Sequence, residues 1–194
     1  MNILSNIEKL NQFLLNHYVD KDSKYITHTE LNPGLNRGRY YISDNERSTF
    51  FELYTKALQD NNNLRLIERP KTLSPLKVDL DFRFLSDYEE HQYSEDDIKT
   101  IIKAYMIEID NYFEIDDSLK IAFVYEIPKP VVEKNDTHKD GIHIMFPNII
   151  TKKNVQHIIR DTILNKFDEI FDRDKIKFIN TAKDIVDKSI IDSA

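Results

Sequence analysis

Polar and apolar residues alternate without a break through Lys77-Val78-Asp79-Leu80-Asp81-Phe82-Arg83-Phe84. That two-residue period predicts a strand with Val78, Leu80, Phe82 and Phe84 on a buried face and Lys77, Asp79, Asp81 and Arg83 on the other. Earlier in the chain the period is helical: Ile3, Leu4, Ile7, Leu10, Phe13, Leu14 and Tyr18 predict an amphipathic helix over residues 3–18, and Phe50, Phe51, Tyr54 and Leu58 a second over 46–59. Between them, Asn32-Pro33-Gly34-Leu35-Asn36-Arg37-Gly38-Arg39 is a basic, turn-rich stretch, followed by a short strand at Tyr40-Tyr41-Ile42. Pro70 and Pro75 bracket an irregular approach to the Asp-bearing strand.

From that strand onward the predicted order is strand 76–84, helix 95–113, strand 120–127, strand 141–147 and helix 152–168. Ser94 with Asp97 has the form of a capping box, and Thr151 is placed to cap the following helix. A fourth strand would complete a split βαβ, ferredoxin-like unit, and Lys175-Ile176-Lys177-Phe178-Ile179 is the segment with a suitable pattern. The expected fold is therefore α/β of the α+β kind: an RRM/ferredoxin-like core over residues 71–194, an N-terminal helix-and-strand extension over 1–70, and one compact domain overall.

In such a unit the first and third strands are central neighbours, so their outward faces meet. Along Gly141-Ile142-His143-Ile144-Met145-Phe146-Pro147 the residues Ile142, Ile144 and Phe146 point to the core, leaving Gly141, His143 and Met145 beside Asp79 and Asp81. Strand interiors disfavour Asp, and two like charges about 7 Å apart on one face repel unless a cation neutralises them. The pair reads as a metal-dependent phosphate site. His143 follows the polar loop Asn135-Asp136-Thr137-His138-Lys139-Asp140, and Gly141 permits close backbone approach, so phosphate oxygens would meet backbone N–H, imidazole and the Lys139 ammonium. Arg83 is open to two roles, a salt-bridge partner or a substrate-phosphate contact. Asp184, Asp187 and Asp192 are helix-surface acids as far as local pattern goes, and the segment 182–192 is ambiguous between helix and strand.

Composition narrows the alternatives. The chain has 194 residues, 40% of them hydrophobic, which suffices for one substantial core. With no Cys, disulfides and thiolate metal sites are excluded, and no apolar run approaches the ~18 residues of a membrane span, so a soluble, intracellular protein is expected. A net charge of -7 argues against tight duplex binding by phosphate neutralisation, but not against a catalytic visit to nucleic acid. Arg65, Arg69, Lys71 and Lys77, interrupted by Glu68, form a local basic stripe ahead of the acids that reads equally as a solvated loop.

Taken together, Val78-Asp79-Leu80-Asp81-Phe82-Arg83, Asp140-Gly141-Ile142-His143-Ile144-Met145-Phe146-Pro147 and Asp184-Ile185-Val186-Asp187-Lys188-Ser189-Ile190-Ile191 resemble the three motifs of the archaeo-eukaryotic primase (AEP) superfamily, in order and over residues 30 to 194. The similarity is greatest to the primase domains of primase-helicases from nucleocytoplasmic large DNA viruses, the poxvirus type included. This resemblance implies that Asp79, Asp81 and Asp187 are catalytic and hold two Mg²⁺ or Mn²⁺ ions and that His143 is the histidine of the second motif; beside it, Gly141, Lys139 and Arg83 are the residues expected to serve the nucleotide. It implies a DNA primase or primase-polymerase acting on nucleoside triphosphates and a single-stranded DNA template, with a helicase domain or subunit as partner, at a viral replication site in the host cytoplasm. Many relatives have Ser where Gly141 stands, and they continue past the third motif, so the chain is expected to be a fragment or truncated copy. Competing expectations are an RRM-like single-strand-binding module, a metal-dependent nuclease, and an inactive primase remnant. The RRM-like reading is disfavoured because the outward positions of the central strands lack stacking aromatics.

Overall fold

A computed structural model describes residues 4–31, 38–69, 71–85, 89–133, 136–172 and 174–192. The chain divides into two compact units, Met1–Pro70 and Lys71–Ala194.

In the first unit, α1 (Asn6–Asn16) opens on a capping box in which Ser5 and Glu8 satisfy each other's backbone N–H groups. It is followed by β1 (Tyr18–Val19), β2 (His28–Glu30), β3 (Gly38–Tyr40), α2 (Arg47–Gln59) and β4 (Leu66–Glu68). The strands form an antiparallel sheet in the order β1-β3-β2-β4. Leu10 and Leu14 from α1, Phe50 and Ala57 from α2, and Tyr40 and Ile42 make its core. The strand expected at Tyr40-Tyr41-Ile42 lies two residues earlier, since the bonds to β1 and β2 are made by Gly38 to Tyr40. Most of the expected turn, residues 32–37, lies outside the described residues, as does Pro70.

The second unit contains β5 (Leu73–Leu85), α3 (Glu95–Asp110), β6 (Phe123–Glu126), β7 (Val131–Val132), β8 (Thr137–Lys152), α4 (Lys153–Asn165), α5 (Phe167–Ile170), α6 (Ala182–Ile185), β9 (Val186–Asp187) and α7 (Ser189–Asp192). Its antiparallel sheet runs β6-β8-β5-β9, with β7 also on β8, which is the split βαβ order with β5 and β8 at the centre. Leu76, Val78, Leu80, Phe82 and Phe84 of β5 and Ile142, Ile144 and Phe146 of β8 pack against Ile98, Ile101, Tyr105 and Ile109 of α3 and Ile159 and Ile163 of α4. One sheet face is thus buried under two helices, while the residues between those positions are left on the other face.

Four local expectations need correction. Lys175 to Ile179 is not the fourth strand. Its alternation buries Ile176 and Phe178, but the backbone is turned on Asp172, whose carboxylate accepts from the amides of Asp174 and Lys175 and whose carbonyl accepts from Ile176. The edge position beside β5 is taken by β9 instead. Thr151 does not cap α4: it is still in β8, opposite Ser74, and the cap residue is Lys152, without a side-chain bond. Pro75 lies inside β5 at a register shift, and the strand opposite runs on through Pro147 to Lys152 because three of its residues bulge there, where a proline without a donor is tolerated. The helix expected over 152–168 breaks between Asn165 and Phe167. The capping box of Ser94 and Asp97 is present at α3.

Candidate active site

Antiparallel register sets the site. On β5, Asp79 lies opposite His143 of β8 on one side and Asp187 of β9 on the other, while Asp81 lies opposite Gly141 and Arg83 opposite Lys139. Directly paired residues on one sheet face bring their Cβ atoms within about 5 Å. One oxygen from each of Asp79, Asp81 and Asp187 falls within 4.8 Å of the others, although the three carboxylates come from two strands more than a hundred residues apart in sequence.

The surroundings of each acid differ. Asp79 and Asp81 are recessed, with side-chain exposures of 13% and 14%. Oδ2 of Asp81 accepts from the Lys139 ammonium at 2.8 Å, a diagonal contact across the strand pair. Oδ1 of Asp79 is buried and has no hydrogen-bond donor among the described residues; Nε2 of His143 is 3.1 Å away, near enough for charge attraction but off the line of a bond. Asp187 accepts from the Ser189 amide at 2.9 Å and its hydroxyl at 2.6 Å. Burial works to raise the Asp187 pKa, but the two Ser189 bonds, with Arg160 and Lys139 nearby, outweigh it and hold the carboxyl below its ordinary value. The short contact to Asp79 raises the His143 pKa, against the effect of burial and with help from Asp81.

Three recessed carboxylates with an orphaned oxygen form a hard, oxygen-only donor set, the chemistry that suits Mg²⁺ or Mn²⁺ and excludes soft metals. Beside it a hollow of about 390 Å³ opens towards β6, lined by Asp81, Lys139, Gly141 and His143 on one side and Tyr125, Glu126, Ile127 and Val131 on the other. Gly141 leaves room there: a Cβ would sit 3.5 Å from Asp81 Oδ1, an ordinary contact, so a side chain as small as Ser would fit.

Of the residues singled out from sequence, Asp79, Asp81, Asp187, His143, Gly141 and Lys139 come together. Arg83 lines a neighbouring hollow with Asp81 and Asp187, and its guanidinium is paired with Glu133 at 2.8 and 3.4 Å, the salt-bridge role. Asp184 serves as the capping acid of α6, bonded to Thr181, and Asp192 pairs with His157 at 3.0 Å.

Sequence reading missed the groups that fix the third acid. Arg160 of α4 is buried, and its Nε donates to the Val186 carbonyl at 2.8 Å and its Nη2 to the Lys183 carbonyl at 3.2 Å. Asn180 completes the unpaired edge of β5, accepting from the Arg83 amide at 3.0 Å and donating to the Asp81 carbonyl at 2.7 Å. Arg160 had a signal: it shares the buried stripe Gln156, Ile159, Arg160, Ile163, where a charge is out of place. Asn180 and Ser189 had none.

The sheet order and the acid-bearing open face define an α+β core that carries a cluster of three carboxylates on its uncovered sheet face. The chain belongs to the family described as C962R protein N-terminal AEP domain, whose model matches residues 27–194. It is similar to "Putative helicase L207/L206" of Acanthamoeba polyphaga mimivirus, 28% identical over 187 residues, covering 95% of this chain and 19% of that protein. It is also similar to "Putative helicase 184R" of Invertebrate iridescent virus 6, 24% identical over 158 residues, covering 73% of this chain and 16% of that protein. The chain thus spans less than a fifth of the length of these relatives.

Proposed function

We propose that the chain is a metal-dependent DNA-directed nucleotidyltransferase of the primase type, with Asp79, Asp81 and Asp187 holding two divalent ions. The observation that carries this is the single row Asp187, Asp79, His143 across three strands, with Lys139 on Asp81: carboxylate oxygens on one side and an imidazole and an ammonium on the other. Bound Mg²⁺ or Mn²⁺ would supply Lewis acidity at the α-phosphate and lower the pKa of the attacking hydroxyl.

The chain's own groups do the rest. His143 and Lys139 attract the β- and γ-phosphates and orient the triphosphate, Gly141 lets it approach the strand, and the low pKa of Asp187 keeps that carboxylate ionised. A new bond forms from the 3′-oxygen to the α-phosphorus as the bond from that phosphorus to the bridging oxygen breaks. The 3′-hydroxyl proton passes to solvent, and pyrophosphate leaves with the electron pair. Single-stranded DNA would be the template, and the helicase names of two viral relatives support a helicase domain or subunit as partner during replication in an infected cell.

The test is incubation of labelled oligonucleotide with Mn²⁺, with and without nucleoside triphosphates. Extension that needs triphosphates and is lost in Asp79→Asn, with circular dichroism unchanged, supports the reading. Cleavage without triphosphates would make the chain a nuclease. One observation favours single-strand binding as a second reading: Phe123 and Tyr125 are exposed on β6, in register with Met145 and His143 and hence on the open face. Oligonucleotide binding that persists in EDTA and falls in Tyr125→Ala would support it.

A further inference from the structure

Resting on the nucleotidyl-transfer reading, we infer that the 3′-terminal nucleotide of the strand being extended lies on the β9 side of the acids, with Lys183 and Lys188 on its backbone phosphates. A second hollow, of about 570 Å³, opens there between β5, α4 and α6, and it shares Asp81 with the first. The acid row is therefore a ridge between two hollows, each within the ~300–1,000 Å³ of small-ligand sites.

In-line displacement assigns them. Attacking and leaving oxygens lie on opposite sides of the phosphorus, so once one side is fixed the other follows. The leaving side is the β8 side, because the Lys139 ammonium, bonded to Asp81 at 2.8 Å, and the ring of His143 both line the smaller hollow, where phosphate oxygens would meet them. The 3′-hydroxyl must then arrive across Asp187, over the larger hollow.

Its charges suit a phosphodiester strand. With Asp81 and Asp187 committed to the metal site, Arg83, Arg160, Lys183 and Lys188 face Asp161 and Asp184. Arg83 is engaged by Glu133, and Arg160 by two carbonyls with Asp161 at 3.4 Å. Lys183 and Lys188 are exposed, and Lys188 is no closer than 3.8 Å to Asp192. They bracket the third acid in Lys183-Asp184-Ile185-Val186-Asp187-Lys188, at the last turn of α6 and directly after β9. Flexible ammonium groups contact phosphate without reading sequence, as a site that must accept any terminal nucleotide requires.

The experiment uses the 194-residue chain and the double variant Lys183→Ala/Lys188→Ala, with Lys139→Ala as its counterpart. Two probes are measured in Mn²⁺: anisotropy of a fluorescein-labelled primer-template hairpin, and calorimetry of a nonhydrolysable nucleoside triphosphate. The double variant should bind the hairpin about 10-fold more weakly, with the slope of log affinity against log salt reduced by about 1.4–1.8, as expected for two lost phosphate contacts. Its triphosphate affinity should change less than twofold, and Lys139→Ala should show the opposite pattern. Loss of triphosphate binding with hairpin binding retained, no change in either, or a wild-type chain that does not bind the hairpin would overturn the inference. Wild-type binding in the expected pattern without extension would instead remove the nucleotidyl-transfer reading and leave the strand site standing.

Discussion

Replacing Arg160 with Met should loosen the third carboxylate as well as the fold. Methionine keeps an unbranched apolar stem within the α4 stripe but removes the donors to the Val186 and Lys183 carbonyls at 2.8 and 3.2 Å. A bond from a charged donor contributes about 1.5–3 kcal/mol, so the two are worth about 3–6 kcal/mol gross. Relief from burying a guanidinium offsets part of that, leaving a net loss of about 2–4 kcal/mol. For a chain of this size each kcal/mol moves Tm by about 2–4 °C, so Tm should fall by roughly 5–15 °C. Because Val186 immediately precedes Asp187 in a strand of two residues, Mn²⁺ affinity by calorimetry should also fall, by about the 10–100-fold typical of groups that orient metal ligands. Arg160→Lys keeps the charge but not the fork, and should lie between wild type and Arg160→Met. A lowered Tm with Mn²⁺ affinity within twofold of wild type would show that Arg160 only packs. An unchanged or raised Tm would refute the bonding argument itself.

Three further outcomes are expected. Mn²⁺ at about 100 times its Kd should stabilise the wild-type chain by about 2.7 kcal/mol, a rise of roughly 5–10 °C in Tm, and Asp79→Asn should lose that rise; an equal rise in the variant would remove Asp79 from the metal site. Leu80→Ala, which empties a fully buried position between the two acids, should cost about 2–5 kcal/mol and lower the urea midpoint; a cost under about 1 kcal/mol would mean the β5 core face is not packed as described. In the first unit both ring nitrogens of His17 meet acceptors, the Phe13 carbonyl at 2.7 Å and Glu46 at 2.8 Å. Burial opposes the charged ring, but those contacts prevail and raise its pKa, while bonds from Ser43 and His17 lower that of Glu46 to about 2. A raised His pKa stabilises fully below about pH 6.5 and fades as pH climbs through the raised value, and the lowered Glu pKa stabilises above about pH 4.5 and fades towards 2. His17→Gln should therefore be most destabilising, by urea titration, between about pH 4.5 and 6.5; an equal deficit at pH 9 would count against the ion pair.

The centre of the site was legible because β5 and β8 are both buried on one face only. Under that condition a period of two admits a single register of faces, and Asp79, Asp81, Gly141 and His143 emerge on the open side from sequence alone. Their adjacency followed from topology, since a split βαβ unit makes its first and third strands neighbours. Contacts that cross the register diagonally were not legible. Lys139 stands opposite Arg83 yet bonds Asp81, and Arg83 turns away to Glu133, because long side chains choose partners within reach rather than the one directly opposite.

The third acid was illegible for a different reason: the edge beside β5 is composite. Among the described residues only Val186 and Asp187 pair with it there as strand, opposite Leu80 and Asp79. Further along, the Asn180 side chain bonds the backbone at Asp81 and Arg83, and the Ile179 amide donates to the Arg83 carbonyl. The chain between makes the short helix α6, whose Lys183 carbonyl is tied to Arg160. Two residues are too few to show a period, and a side-chain amide standing in for a strand leaves no trace in hydropathy. Resemblance alone singled out Asp187, and the geometry supplies the physical reason its carboxylate can be held on so short a strand: Arg160, Asn180 and Ser189 hold from outside what the ladder cannot hold from within.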